Sequence, residues 1–232
     1  MEVPYLSIII PVINEAESLP ILLGRLQELN LSELWVETVV VDGGSSDGTP
    51  EKAVQYGAQV VTSAKGRARQ MNAGARVARG KVLYFLHADS IPPHQFVGQI
   101  AQAHDKGFMA GCFRLKFDWS HWFLRCNAWF TRFNIDSLRF GDQSLYVDRA
   151  FFERVGGYDE SLIIMEDQEI VFRLTAKAPF RVLPDYIVTS ARKYRLNGPY
   201  RMQAIFYSIY LGYYLGFPQQ KLVRIYKKLI RT

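Results

Sequence analysis

The feature that most restricts the fold of this chain is an alternation of short apolar runs with segments of helical pattern. Leu6–Val12 precedes Ser18–Leu29, Val36–Val41 precedes Thr49–Tyr56, Gln59–Thr62 precedes Gly66–Ala78, and Val82–His87 precedes His94–Lys106. Strands alternating with helices in this way form βα units wound into a mostly parallel sheet. The runs SIIIPV, ETVVVD and VLYFLHAD are apolar almost throughout, as strands are when helices cover both faces of their sheet. An α/β fold is therefore predicted, with a mostly parallel central sheet flanked by helices. Ligands in such folds sit at the carboxyl edge of the strands, so Asn14, Glu15, Asp42, His87 and Asp89 are predicted to share one crevice.

The second half is less regular. Ala110–Phe117 and Ser144–Val147 read as strands, and Trp122–Phe133 and Ala150–Val155 as helices, the last stopped by Gly156 and Gly157. Glu166–Thr175 is a further helix, Ile187–Ser190 a short strand, and Gly198–Phe217 and Pro218–Ile230 two terminal helices. Charge separates the ends of the chain. Of 28 Lys/Arg and 22 Asp/Glu, residues 1–189 hold 19 and all 22, whereas residues 190–232 hold nine cations and no acid. The predicted organisation is an α/β domain over 1–190 and a basic, aromatic helical extension over 191–232, packed on the domain or continuous with it.

Composition excludes a disordered tail, a collagen and a disulfide mini-protein. Confinement of the positive excess to the tail argues against nucleic acid as a partner. Cys112 and Cys126 form no metal or disulfide pattern and read as reduced, buried thiols of a cytoplasmic chain. The N-terminus, with Glu2 and Pro4, is unlike a cleavable signal. The longest uncharged stretch, Met202–Gln220, is broken by glycines and Pro218 and is rich in tyrosine, which suits a membrane interface better than a membrane span.

Four segments can carry chemistry. VDGGSSDGT (Val41–Thr49) is a strand-to-helix turn in which Asp42, an acid at the end of a buried strand, needs a partner. The segment from Lys65 to Lys81 holds six Lys/Arg and fails the phosphate-loop pattern. It is either a solvated helix or one whose first turn grips a diphosphate. HADS (His87–Ser90) offers a carboxylate beside an imidazole and a hydroxyl, either a satisfied strand end or a site for a hard divalent cation. MEDQEI (Met165–Ile170) sets acids at a helix start, where they either complement the helix dipole or supply a general base from Glu166 or Asp167. His87, His94, His104 and His121 match no zinc pattern, and His94 and His104 are expected on a helix surface. Trp119, Trp122, Phe123, Trp129, Phe130 and Phe133 are either core, the favoured reading at helical spacing, or an acceptor-facing wall.

In order and spacing these motifs resemble the family 2 glycosyltransferases of GT-A fold. SIIIPVINEAESLP, VDGGSSDGT, GRARQMNAGARVARG, FLHADS, GDQ (Gly141–Gln143), VGGYDE, MEDQE and TSARKY are similar to the bacterial radical-SAM/selenodomain-associated transferase 2 subfamily, from Leu6 to Tyr226. The resemblance implies a GT-A nucleotide-sugar-binding fold and an inverting transfer of sugar from a nucleoside-diphosphate sugar to an acceptor hydroxyl. It implies that Pro11, Asn14 and Glu15 line the nucleotide pocket with His87, that Asp42 accepts from the base, and that Arg67, Arg69 and Asn72 neighbour the phosphates. Asp89 would hold Mn²⁺ or Mg²⁺, Asp167 would be the base supported by Glu166, and Asp142 and Gln143 would face the acceptor. The family's metal motif often has acids on both sides of its middle residue, where this chain has His87 and Asp89. A polyprenyl-phosphate transferase of the same fold and a non-catalytic nucleotide-sugar binder are the alternatives. The acceptor, lipid-linked in the first of these, and the oligomeric state are left open. The basic tail suggests an anionic membrane surface, which would place the protein in the cytoplasm or on the inner face of the cell membrane.

Overall fold

The computed structural model describes residues 3–29, 36–135 and 141–231. Met1 and Glu2, which bear on the reading of the N-terminus, lie outside them. The expected βα units are present as β1 (Leu6–Val12), α1 (Ser18–Glu28), β2 (Val36–Asp42), α2 (Thr49–Gln55), β3 (Gln59–Thr62), α3 (Arg67–Val77) and β4 (Val82–Phe85). A two-residue strand, β5 (Ser90–Ile91), and α4 (Phe96–Asp105) follow. The second half comprises β6 (Ala110–Phe117), α5 (Trp122–Phe130), β7 (Leu145–Asp148), α6 (Arg149–Arg154), α7 (Glu166–Thr175), β8 (Phe180–Thr189), α8 (Arg192–Asn197), α9 (Pro199–Tyr214) and α10 (Gln219–Leu229).

The strands form one sheet in the order β3-β2-β1-β4-β7-β6-β8-β5. The first four are mutually parallel, as are β6 and β8, while β7 runs antiparallel to both of its neighbours and β5 antiparallel to β8. Alternate residues of β1 serve opposite faces. Leu6, Ile8, Ile10 and Val12 pack with the apolar sides of α1 and α4, whereas Ile9 packs with Met71 of α3 and Ile170 and Leu174 of α7. At Gly74 an added Cβ would stand 2.4 Å from Ile9 Cγ2, so glycine is what lets α3 lie against β1 and deliver its N-terminus to the sheet's carboxyl edge.

Several expectations need correction. β8 begins at Phe180, not Ile187: its pairing with β6 passes from Leu183↔Phe113 to Tyr186↔Arg114, so Pro184 and Asp185 form a bulge that hides the strand's first half. His104 is buried, not on a surface, because its ring lies between Asp148 Oδ2 (3.1 Å) and the Tyr5 hydroxyl (3.2 Å). Cys112 is buried but Cys126 is exposed, and neither is in a disulfide among the described residues. Trp122, Trp129, Phe130 and Phe133 are exposed rather than core, because α5 turns Leu124 and Ala128 inward instead. The tail packs through a small third core in which Leu124 of α5 meets Tyr194, Met202 and Ile205. No helix among the described residues is long and apolar enough to cross a membrane.

Candidate active site

The loops after β1 and β2 are knitted together by their own polar groups. Asn14 adopts φ 53°, a left-handed conformation that asparagine tolerates. Its amide N–H donates to Ser45 Oγ (2.9 Å), and its Oδ1 accepts from the Ser46 N–H (2.9 Å). The Glu15 and Ala16 amides donate to Thr49 Oγ1 and Asp47 Oδ2, each at 3.0 Å. The partner that buried Asp42 requires comes from the backbone: its carboxylate accepts from the N–H groups of Gly44 (3.0 Å) and Ser45 (3.1 Å). An ionised carboxylate has about four acceptor sites, so this turn does not exhaust it. Beneath the loops, buried Gln70 of α3 donates to the carbonyls of Val12 (2.8 Å) and Val41 (2.9 Å), tying the ends of the two strands to one helix. Neutral and mid-helix, Gln70 gives no signal of this in the sequence.

Across the crevice, the left-handed Met165 (φ 72°) starts α7 so that Glu166 and Asp167 meet the first turn of α3. Arg67 Nη1 lies 3.4 Å from Glu166 Oε1 and 3.3 Å from Asp167 Oδ2. Desolvation lowers the Arg67 pKa, but the charges of Glu166, Asp167, Asp142 and Asp89 outweigh it and raise the pKa well above its usual value. One guanidinium therefore sits in the field of four carboxylates. Burial, and then the Asp167 charge, pushes Glu166 up to about 7, against a smaller downward pull from Arg67. Asp142 is held below the usual carboxylate range: burial raises it, but the neighbouring His87 ring (Nδ1 to Oδ1 3.6 Å), Lys193 and Arg67 outweigh that. His87 and Asp167 also line a small cavity with Tyr158, whose hydroxyl burial and the nearby Asp167 and Glu166 charges drive well above its ordinary pKa.

A family model for glycosyl transferase family 2 matches residues 7–154. The chain belongs to this family. Glycosyltransferase AglE of Haloferax volcanii is 33% identical over 101 residues, 40% of this chain and 33% of that protein. Undecaprenyl-phosphate 4-deoxy-4-formamido-L-arabinose transferase of Aeromonas hydrophila is 30% identical over 117 residues, 46% of this chain and 36% of that protein. The matched region is thus about a third of the length of these curated relatives. Among solved structures, the mannosyltransferase PcManGT of Pyrobaculum calidifontis, in complex with GDP-Man and Mn²⁺, superposes with a TM-score of 0.71 at 19% identity, over 91% of this chain and 63% of that one. The fold is GT-A, as expected.

In this family 2 chain two anticipated residues, Asn72 and Gln143, have their side-chain amides committed away from the crevice. Pro11 lies within β1, opposite Val41. Arg69 is exposed on α3 and forms no ion pair among the described residues. The Asn72 amide is committed elsewhere: Nδ2 donates to the Tyr158 carbonyl (2.9 Å) and Glu160 Oε1 (3.0 Å), and Oδ1 accepts from the Tyr158 N–H (2.9 Å). Asn72 therefore clamps the segment carrying Tyr158 rather than reaching a phosphate. Gln143 also requires correction as an acceptor-facing residue. It is 1% exposed, and its amide donates to the Phe113 carbonyl (3.1 Å), because the turn over Gly141–Gln143 that leaves Asp142 open points Gln143 into the sheet.

Two residues without an anticipated role come into view. Tyr158, in the VGGYDE motif, is aimed into the cavity by the left-handed pair Gly156 and Gly157. Lys193, in TSARKY, brings a tail cation to Asp142. The end of β8 is also stitched to the cation candidate: Ser190 N–H donates to the Asp89 carbonyl (3.1 Å), and Ser90 Oγ to Thr189 Oγ1 (3.0 Å). The Asp89 carboxylate itself, half-buried, forms no hydrogen bond or ion pair among the described residues. No group of three His, Cys, Asp or Glu among those residues is placed to hold a metal ion. One open carboxylate fits a hard cation that retains water and takes its other ligands from phosphates, and does not fit zinc.

Proposed function

We propose that this chain is an inverting glycosyltransferase that moves a sugar from a nucleoside-diphosphate sugar to an acceptor hydroxyl. The observation that carries the reading is Arg67 at the first turn of α3, facing Glu166 and Asp167 across the crevice within the field of Asp142 and Asp89. A helix start with a guanidinium attracts a diphosphate, and a carboxylate opposite it can take a proton. Asp167 accepts the acceptor's proton as its oxygen attacks the anomeric carbon. The bond from that carbon to the diphosphate breaks on the opposite face, and the nucleoside diphosphate leaves with the electron pair. Glu166 supports Asp167, and Arg67, with Arg69 beside it, steadies the developing phosphate charge. Pro11, Asn14, Glu15, Asp42 and His87 border the nucleotide side, and Asp142 the acceptor side. Asp89 would hold Mn²⁺ or Mg²⁺, which would supply Lewis-acid neutralisation of the leaving diphosphate.

Family membership and the Pyrobaculum mannosyltransferase, described with GDP-Man and Mn²⁺, support the donor and cation classes. The motif series supports a place in the radical-SAM/selenodomain-associated transferase 2 subfamily. The name of the Aeromonas relative favours a second acceptor class, a polyprenyl phosphate. With residues 1–190 as the GT-A domain and 191–232 as its extension, the nine tail cations favour a place on the inner face of the cell membrane.

Thermal-shift titration with nucleoside diphosphates and their sugars, with and without Mn²⁺, tests the proposal. It is expected to give a stabilising hit that strengthens with the cation, and release of nucleoside diphosphate once an acceptor is supplied. No stabilisation by any nucleotide would overturn it.

A further inference from the structure

Two helices of the molecule carry large apolar side chains on the wrong side for folding. On α5 these are Trp122, Trp129 and Phe130, and on α9 Tyr200, Tyr207, Leu211 and Tyr214, each between 44% and 64% exposed. The spacings, 122–129 and 200–207–211–214, set each group along one helical face. Neither stripe is an unfilled core, because each helix has a separate buried side, Leu124 and Ala128 on α5 and Met202, Ile205 and Ile209 on α9.

The two faces adjoin. The Trp122 and Phe123 rings lie 6.3 Å and 4.9 Å from Tyr200, and farther along both helices Asn127 Nδ2 donates to Gln203 Oε1 at 3.4 Å. The result is one aromatic surface contributed jointly by the catalytic domain and the tail.

The surrounding segments are one-sided in charge. Residues 119–135 and 190–232 contain eleven Lys/Arg and no Asp or Glu. The acid at the border, Asp118, is paired with Arg195 (3.1 Å). Arg132 lies over the Trp129 ring at 4.6 Å, a cation next to an aromatic at the same surface. Tyr and Trp are the side chains that settle at the headgroup level of a bilayer, with an apolar body and a polar tip. A second copy of the chain would set cations against cations, whereas an anionic headgroup layer complements both the rings and the charge.

We infer that the joined outer faces of α5 and α9 form a docking surface for an anionic lipid bilayer. This deepens the membrane placement proposed above by naming the surface, and it holds whatever sugar is transferred. α8, which leads directly into α9, carries Lys193 to Asp142, so the docked surface and the acceptor side of the crevice are consecutive in the chain.

Flotation of the full chain with vesicles of phosphatidylcholine alone, or of phosphatidylcholine mixed with phosphatidylglycerol, tests the inference. A Trp122→Ser, Tyr207→Ser, Leu211→Ser triple variant is the comparison. The wild-type chain is expected to float with the anionic vesicles only, less so at high salt, and the variant to bind them more than tenfold more weakly. The variant's thermal midpoint and its nucleotide-induced shift should match wild type, which separates loss of docking from loss of fold and from failure of the transferase reading. Equal flotation of the two proteins, no flotation of wild type, or a wild-type dimer that the variant converts to monomer would each overturn the docking surface.

Discussion

Arg67 Nη1 stands 3.3 Å from Asp167 Oδ2 across 100 positions of sequence, so the helix start suited to a diphosphate also grips the carboxylate proposed as the base. Charge-assisted pairs close at about 2.7–2.9 Å, so both Arg67 contacts are long and can yield to a stronger anion.

Arg67→Ala is expected to weaken binding of a nucleoside diphosphate by roughly 10- to 100-fold, the range for a lost hydrogen bond to a charged group. Isothermal titration checks this. The same variant should shift Glu166 ionisation upward from about 7, because Arg67 is a downward influence on it. An unchanged affinity would remove Arg67 from the phosphate site.

Glu166 gives stability a defined pH dependence. Its folded value of about 7 exceeds the usual 4.5, so the native state holds this proton more tightly than the unfolded chain does. The contribution is complete below the unfolded value and is lost as pH rises through about 7. It amounts to on the order of 3 kcal/mol. Denaturant unfolding at pH 5 and pH 8 should show that decline in wild type, and Glu166→Gln should flatten it and be the more stable protein at pH 8.

Asp167→Asn removes the proposed proton acceptor while leaving a side chain of the same shape. Turnover onto a hydroxyl acceptor should fall by about 10²–10⁴, with nucleotide binding retained. If transfer onto a polyprenyl phosphate persists in the variant, the acceptor is already an anion and the second acceptor class is the correct one.

Gly74→Ala tests how α3 is seated. The new methyl would stand 2.4 Å from Ile9 Cγ2 and 2.9 Å from Val41 Cγ2, side chains on central strands with little room to move. A stability loss of about 1–3 kcal/mol is expected, read by denaturant unfolding. Nucleotide affinity should fall with it, since the same shift would lift Arg67 from its place.

The βα units from β1 to α4 are legible in the sequence because continuous apolar strands and stopped helices are local patterns. β8 is only half legible, since Pro184 and Asp185 interrupt its pattern while the strand continues past them through a bulge. The chemistry of the crevice is legible by residue type at Arg67, His87, Asp142, Glu166 and Asp167, which the fold does bring together. Direction is not legible. Asn72 and Gln143 have the right chemistry, but their amides are taken by backbone carbonyls of segments distant in sequence. The exposed rings of α5 show the same gap from the other side, because helical spacing says that residues share a face without saying which way that face points.

The pairing of Ser90 with Thr189 has a consequence for synthesis of the protein. Strands β1 to β4 and their loops leave the ribosome long before α7 and β8 exist. At roughly 5–20 residues per second, on the order of 5–20 s separate the emergence of Asp89 from that of the strand that anchors it. During that interval the nascent chain has neither Asp167 opposite Arg67 nor β8 beside β5. With Asp167 as the proposed base, no proton acceptor faces Arg67 at that stage, so the proposed transfer needs nearly the whole chain to have been made.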